Sequence, residues 1–292
     1  MLRIATCQYQ IEVLPNWDAY QTKIETIVKQ AHAQGAQLLL LPEYAGIEVA
    51  CKAYDSVAEL FAAMQPVLPR YIELFQRLAK QYQLYIQPGT TMPEVAPNQY
   101  ANRAYFFSPS GEVAYQDKLK LVEVEKTPPI LVVGNTQTVF DTALGKIGIA
   151  ICYDSEFPQL VTNLTRAGAE LILVPSFTAS IAGYYRVSLC SRARAVENQC
   201  YTVTSLVIGE VTSFGVVLQG IGCSGVFGPV DNTFPDDGIV KESALNKLEM
   251  IIADIDLANV TTVRQKGSTH NFEDTVALQQ NNSVTSINLL NF

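Results

Sequence analysis

Four apolar runs, each closed by a polar turn, frame this chain: "LRIATCQYQI" near the start, then "AQLLLLPE", "GKIGIAIC" and "AELILVPS". Their β-branched and aliphatic content and short length read as strands. The unbroken apolar stretches predict strands covered on both faces. Between them the period lengthens. From Asn16 to Gln34, Trp17, Tyr20, Ile24, Ile27, Val28 and Ala31 share one helical face, and Gly35 stops that helix. Pro69 to Gln83 predicts a second helix, followed by a strand at "LYIQPG". "YANRAYFFS" and "GEVAYQDKLKL" predict two strands turning at "PSG". A helix is expected from about Glu156 to Ala167, with Asp154 or Ser155 as its N-cap. Another is expected over Tyr184 to Asn198, then strands at "CYTVTSLVIG", Phe214 to Gln219 and Glu249 to Ile255.

One internal echo stands out. "GAQLLLLPE" (Gly35 to Glu43) and "GAELILVPS" (Gly168 to Ser176) keep Gly, Ala, two Leu positions and Pro in register, each behind a helix. Without a linker-like stretch between them, the pattern predicts two related βα halves within one layered α/β domain. Residues 1–265 are read as that domain. Residues 266–292, rich in Asn, Gln, Ser and Thr, are read as a polar arm belonging to the same unit.

Composition narrows the function. The chain has 292 residues, is 48% hydrophobic and only 16% charged, which is ample for a packed core. A formal net charge of −8 and the lack of a basic run argue against nucleic acid as a partner. No apolar run reaches the length of a bilayer span, and no signal-peptide pattern opens the chain, so a cytoplasmic protein without a membrane partner is expected. The six cysteines form no C-x-x-C pair, which favours reduced thiols. The two histidines, His32 and His270, lie far from each other and from any cysteine cluster, so neither a metal nor another cofactor is expected.

In layered α/β folds chemistry gathers beyond the carboxyl ends of strands. Glu43, Cys152 and Ser176 each close such a run, and Lys118 and Glu125 follow another. Cys152 has the most specific setting: strand, thiol, polar turn, helix start. There the Tyr153 N–H is free to meet an oxyanion. An unassisted thiol has a pKa near about 8.5 and needs activation, while Asp154 and Glu156 disfavour the thiolate. Lacking a well-placed histidine, a Glu base with a Lys cation is the economical arrangement. Taken singly, Glu43 reads equally as a solvated loop carboxylate or cap, Lys118 as one of two alternating strand lysines with Lys120, and Cys152 as a small buried hydrophobe. The string "GIGCSG" spells G-x-G-x-x-G, but the "VFGPVDN" behind it does not continue as a helix. It is read as a glycine-rich turn.

Taken together, "LLLLPEY", "QDKLKLVEVE" and "GIAICYDSEFP", in that order, resemble the three signatures of the nitrilase superfamily of carbon–nitrogen hydrolases, and "AELILVPS" and "RARAVENQCYTV" resemble its later strings. The resemblance runs to about Asp256. It implies a four-layer α-β-β-α sandwich pairing into a homodimer through helices such as "YYRVSLCSRARAVENQ". It also implies Cys152 as nucleophile, Glu43 as general base and Lys118 as cation, with no cofactor. A second glutamate falls on Glu125, although Glu123 replaces a proline common in the family and leaves the choice between them open. Tyr153, Ser176 and Phe177 are expected to bind substrate or its oxyanion. Specificity is expected from loops around Val122 to Thr136, Phe177 to Tyr185 and Cys223 to Gly238. The implied activity is hydrolysis of a small linear amide through an acyl-thioester. A nitrilase, or a thiol redox sensor using Cys152, is the alternative.

Overall fold

The computed structural model describes residues 1–213 and 216–275. Its frame is one β-α-β-α-β pattern used twice. The first unit runs β1 (Leu2–Gln10), α1 (Trp17–Ala33), β2 (Leu38–Leu41), α2 (Leu68–Tyr82) and β3 (Tyr85–Pro88). The second runs β4 (Gly145–Ile149), α3 (Pro158–Arg166), β5 (Leu171–Ser176), α4 (Ile181–Asn198) and β6 (Tyr201–Ser213). In each, the middle strand pairs in parallel with both others, as helical crossovers require. The echoed strings are β2 and β5, the middle strands.

β1 and β6 join the units by pairing in parallel through Gln8–Gln10 and Leu206–Ile208. Antiparallel strands extend the sheet: Met250–Ile255 on β1, Arg103–Phe107 beyond β3 and Val139–Thr142 beyond β4. The sheet curls. Leu38 and Leu40 of β2 share one core with Ile147, Ile149 and Leu171 of the second unit, while Leu39 and Leu41 point the other way. There they meet Tyr20, Ile24 and Val28 of α1 and Tyr71, Phe75 and Leu78 of α2. Alternation along a strand sends successive side chains to opposite faces, so a strand buried on both must be apolar throughout. The result is an α/β sandwich with a curled mixed sheet. α1 begins where the Asn16 side chain accepts from the Ala19 N–H at 2.9 Å, a side-chain cap.

Local chemistry moves several expected boundaries. The helix expected from Glu156, capped by Asp154 or Ser155, is instead a 3₁₀ turn at Cys152–Glu156, followed by α3 from Pro158 with Phe157 before it. Proline suits a helix's first turn, and it holds the preceding residue extended, so the helix cannot start earlier. "YANRAYFFS" breaks at Asn102. Gln99–Ala101 pairs in a small sheet with Glu94–Ala96 and Leu131–Val132, and only Arg103–Phe107 joins the main sheet. In the glycine-rich turn, a Cβ on Gly222 would come 2.3 Å from Leu206 and one on Gly220 would come 2.6 Å from the Val207 carbonyl. These glycines serve close packing, and a strand at Gly225–Phe227 follows them. Of the strand expected at Phe214 to Gln219, Val216–Gly220 is present, and residues 214 and 215 lie outside the described residues. In the polar arm, Ser268 and Thr269 donate backbone N–H groups to Asp231, and residues 276–292 lie outside the described residues. Among the described residues no helix is long and apolar enough to cross a membrane.

Candidate active site

Three chain segments meet at the carboxyl ends of β2, β4 and β5. β2 stops before Pro42, and Glu43 follows it into the interior, where 1% of the residue is exposed. The next residue, Tyr44, takes a left-handed backbone (φ 64), which turns the chain sharply. At the end of β4, Cys152 is itself left-handed (φ 47), an uncommon conformation for a side chain with a Cβ. That backbone opens the 3₁₀ turn and turns the thiol toward the end of β5. Lys118 lies just past the strand Val113–Asp117, not within it. Asn102 O accepts from its N–H at 2.8 Å, and its own carbonyl accepts from the Gly134 N–H at 2.8 Å. Lys118 is 1% exposed, while Lys120 is on the surface.

The polar tips converge tightly. Lys118 Nζ donates to Glu43 Oε1 at 2.7 Å and to both Glu125 oxygens at 2.7 Å. Glu43 Oε1 also accepts from Asn102 Nδ2 at 2.9 Å. Glu43 Oε2 accepts from the Phe177 backbone N–H at 3.0 Å, while the Cys152 thiol donates to the Phe177 carbonyl at 3.6 Å. One peptide residue thus engages both carboxylate and thiol. Glu125, in a 3₁₀ turn at Glu123–Lys126, further accepts from Tyr44 Oη, Asn102 Nδ2 and Val122 N–H. Glu123 points outward, its side chain 87% exposed and paired with Lys126.

Burial sets the proton affinities. It raises the Glu43 carboxyl, against the pull of Lys118 and with help from Glu125. It also pushes the Cys152 thiol well above the ordinary range, and the Glu43 charge adds to this more than Lys118 subtracts. Burial works against the Lys118 charge, but Glu43, Cys152 and Glu125 outweigh it and hold the ammonium above its usual range. A buried cation among carboxylates and a thiol, beside a cavity of about 460 Å³, can move a proton and stabilise developing negative charge. Among the described residues no cluster of His, Cys, Asp and Glu has the makings of a metal site.

Residues 3–265 match the Carbon-nitrogen hydrolase family. The chain belongs to this family. It is 33% identical over 276 residues to "Probable hydrolase YhcX" of Bacillus subtilis, covering 94% of this chain and 53% of that one, so it spans about half of that relative. It is 30% identical over 200 residues to "Deaminated glutathione amidase" of Yersinia enterocolitica, covering 64% of this chain and 68% of the relative. Among solved structures, a mutant amidase from Nesterenkonia sp. AN1, carrying the acetamide moiety of fluoroacetamide on its active-site cysteine, superposes with TM-score 0.71 at 23% identity, covering 96% of this chain and 95% of that one. The likeness to that amidase is one of fold.

Two of the three residues expected at the substrate line the cavity. Tyr153 and Phe177 do, with Tyr44 packed edge-on against Phe177 at 5.9 Å. Ser176 does not. It is fully buried and its hydroxyl donates to the Val174 carbonyl, because the last residue of β5 turns back on its own strand and leaves Phe177 to reach the cavity. Of the expected loops, the segments after Val122 and after Phe177 contribute, but the segment from Cys223 to Gly238 does not. Its place is taken by Ile47, Val57, Leu60 and Phe61. The pattern of the chain gives no sign of Asn102 or Tyr44 at the site, and it points Asp154 to a different task. Asp154 accepts from the Leu119 and Lys120 N–H groups at 3.1 and 2.8 Å, tying the lysine segment to the cysteine turn. Its one sequence signal is an acid two positions after the thiol.

Proposed function

We propose that this enzyme hydrolyses a small linear amide with Cys152 as nucleophile, Glu43 as proton carrier and Lys118 as the fixed cation. The observation that carries this reading is the contact of Lys118 with Glu43 and the hold of Phe177 on both Glu43 and Cys152, beside one cavity. The raised thiol argues that sulfur is not ionised at rest, so proton transfer accompanies attack. Sγ forms a bond to the amide carbon as its proton passes to Glu43. The carbonyl electrons move onto oxygen, where Lys118 and the Tyr153 N–H, near the open end of its 3₁₀ turn, face them. Glu43 then gives its proton to nitrogen, the C–N bond breaks and ammonia leaves. Water, deprotonated by Glu43, attacks the thioester, and Cys152 is released with the carboxylic acid. Glu125, Asn102 and Tyr44 hold the lysine and glutamate in place.

The test is ammonia release from simple amides by wild type and Cys152→Ala, with mass spectrometry of the quenched enzyme. The reading expects an acyl adduct on the peptide bearing Cys152 and no activity in the variant. Activity surviving in Cys152→Ala would reject it.

A homodimer fits the outer face of α4, where Ile181, Tyr185 and Leu189 form an exposed apolar row at helical spacing. Sedimentation of wild type against Leu189→Glu measures it. A reducing compartment such as the cytoplasm suits six unpaired cysteines. The bonds from Ser268 and Thr269 to Asp231 and from Gln199 to the Thr269 carbonyl support reading the arm as part of the same unit.

A further inference from the structure

Away from the reacting groups, the cavity is walled by carbon. One side comes from the turn at Ala45–Ala50 and the helix Val57–Met64, through Ile47, Leu60 and Phe61. More of the wall comes from the segment behind Lys118, through Val122, Ile130 and Leu131. The volume, about 460 Å³, suits a ligand much larger than acetamide.

Each cation of this cavity has an acid beside it. Lys118 gives its ammonium to Glu43 and Glu125. Arg186, at the rim and 60% exposed, meets the mostly buried Glu156 through Nε at 3.3 Å from Oε1. Just outside, Lys126 lies 2.9 Å from Glu123, with both side chains largely in water. Among the described residues lining the cavity, no further Lys or Arg stands ready to meet an acidic group on the far end of a substrate. A carboxylate carried there would lose its water to an apolar wall, with repulsion from Glu156 added to desolvation.

We propose that the enzyme selects amides of neutral, apolar acids with a medium-length alkyl or aryl-alkyl group, and rejects amides whose acyl chain ends in a carboxylate. This deepens the amidase reading and rests on it. The scissile amide sits at Cys152, the acyl chain lies against the Leu60 and Ile130 walls, and the Arg186–Glu156 pair closes the rim without offering a net positive charge.

The experiment compares acetamide, hexanamide, 3-phenylpropanamide and the monoamide of adipic acid. Burying each added methylene should raise kcat/KM about fourfold, so hexanamide should exceed acetamide by about 10²-fold. The adipic monoamide, as long as hexanamide but charged, should fall at least about 10²-fold below it. Calorimetry on Cys152→Ala should show the same order in binding. Glu156→Gln releases Arg186 and should narrow the gap between hexanamide and the monoamide about tenfold. A flat series, a preference for the monoamide, or a gap unmoved by Glu156→Gln would overturn the proposal. Tight binding of hexanamide without Cys152-dependent turnover would sink the amidase reading and leave the pocket's selectivity standing. Turnover led by the monoamide would do the reverse.

Discussion

Glu43 and Glu48 both follow β2, both are buried and both are raised in pKa by that burial, yet they are built for different ends. Glu48 accepts from the Tyr9 hydroxyl, from the Glu12 N–H at 2.7 Å and from Lys23 Nζ at 2.9 Å, with Lys23 also lying over the Tyr9 ring. Only a void of about 30 Å³ lies beside it. Glu43 is equally well bonded, but a thiol and a cavity lie alongside, and its lysine is shared with a second buried acid, whereas Lys23 is shared with the half-exposed Glu12. Burial and perturbed proton affinity therefore do not distinguish the carboxylate proposed as catalytic from a structural one. The surplus of buried acid over cation, and an open space with a nucleophile in it, do.

The sharpest way to break this comparison is to neutralise each acid in turn. Glu43→Gln should lower ammonia release by at least about 10³-fold, the scale of a lost general base, with the fold retained. Glu48→Gln should leave kcat/KM within a few-fold and cost about 1–3 kcal/mol of stability through a weakened buried network. Amide turnover and denaturant melts on both variants decide it. If Glu48→Gln lost activity on Glu43's scale while staying folded, the two sites would be one machine.

Removing the shared cation tests the surplus of acid directly. Lys118→Met leaves Glu43 and Glu125 buried without a counter-charge, which should cost about 3–5 kcal/mol along with the activity. Adding Glu125→Gln to that variant should recover much of the stability and none of the turnover. Recovery of both would show that Lys118 serves only to neutralise.

How far the sequence reaches follows the same division. The ends of β2 and β4 are legible because an apolar run that stops at a polar residue is a one-dimensional signal, and both Glu43 and Cys152 stand there. The same rule brings in Ser176, whose hydroxyl donates to the Val174 carbonyl, since it fixes where a strand ends but not which of its last residues turns inward. Lys118 does not follow from alternation with Lys120, because the strand has already ended at Asp117. Glu125 against Glu123 is undecidable for a related reason: in a 3₁₀ turn neither the strand period nor the α-helical one applies. Asn102 is hidden because "YANRAYFFS" reads as one strand, whereas the break there frees its side chain for the two carboxylates. Asp154 reads as a local cap, while its true partners lie far back in the chain at Leu119 and Lys120.

Asp154 gives a smaller but signed effect. Burial raises its pKa from 3.8 to about 7, against the N–H groups of Leu119 and Lys120. The folded state thus keeps a proton that the unfolded chain gives up near pH 4. The associated stability is fully present below that pH and is lost as pH rises through about 7, a change of about 2–4 kcal/mol for this group. Asp154→Asn is neutral throughout and lacks this slope. Between pH 5 and pH 8 the melting temperature of the wild type should therefore fall relative to the variant. A constant difference would mean that the N–H groups keep Asp154 ionised across the whole range.

The smallest effect belongs to the glutamate that the sequence could not separate from Glu125. Glu123 pairs with Lys126 at 2.9 Å, but both side chains are largely in water, where solvent screens the pair and side-chain entropy opposes it. Glu123→Gln should change stability by less than about 0.5 kcal/mol and turnover of a neutral amide by less than about threefold. Glu125→Gln, acting on the buried Lys118 ammonium, should lower turnover by about 10²-fold, because the lysine proposed to face the oxyanion loses a partner holding it in place. The two glutamates flank Val124 on the same 3₁₀ turn, so equal losses in the two variants would mean that the turn as a whole, and not the buried carboxylate, sets the activity.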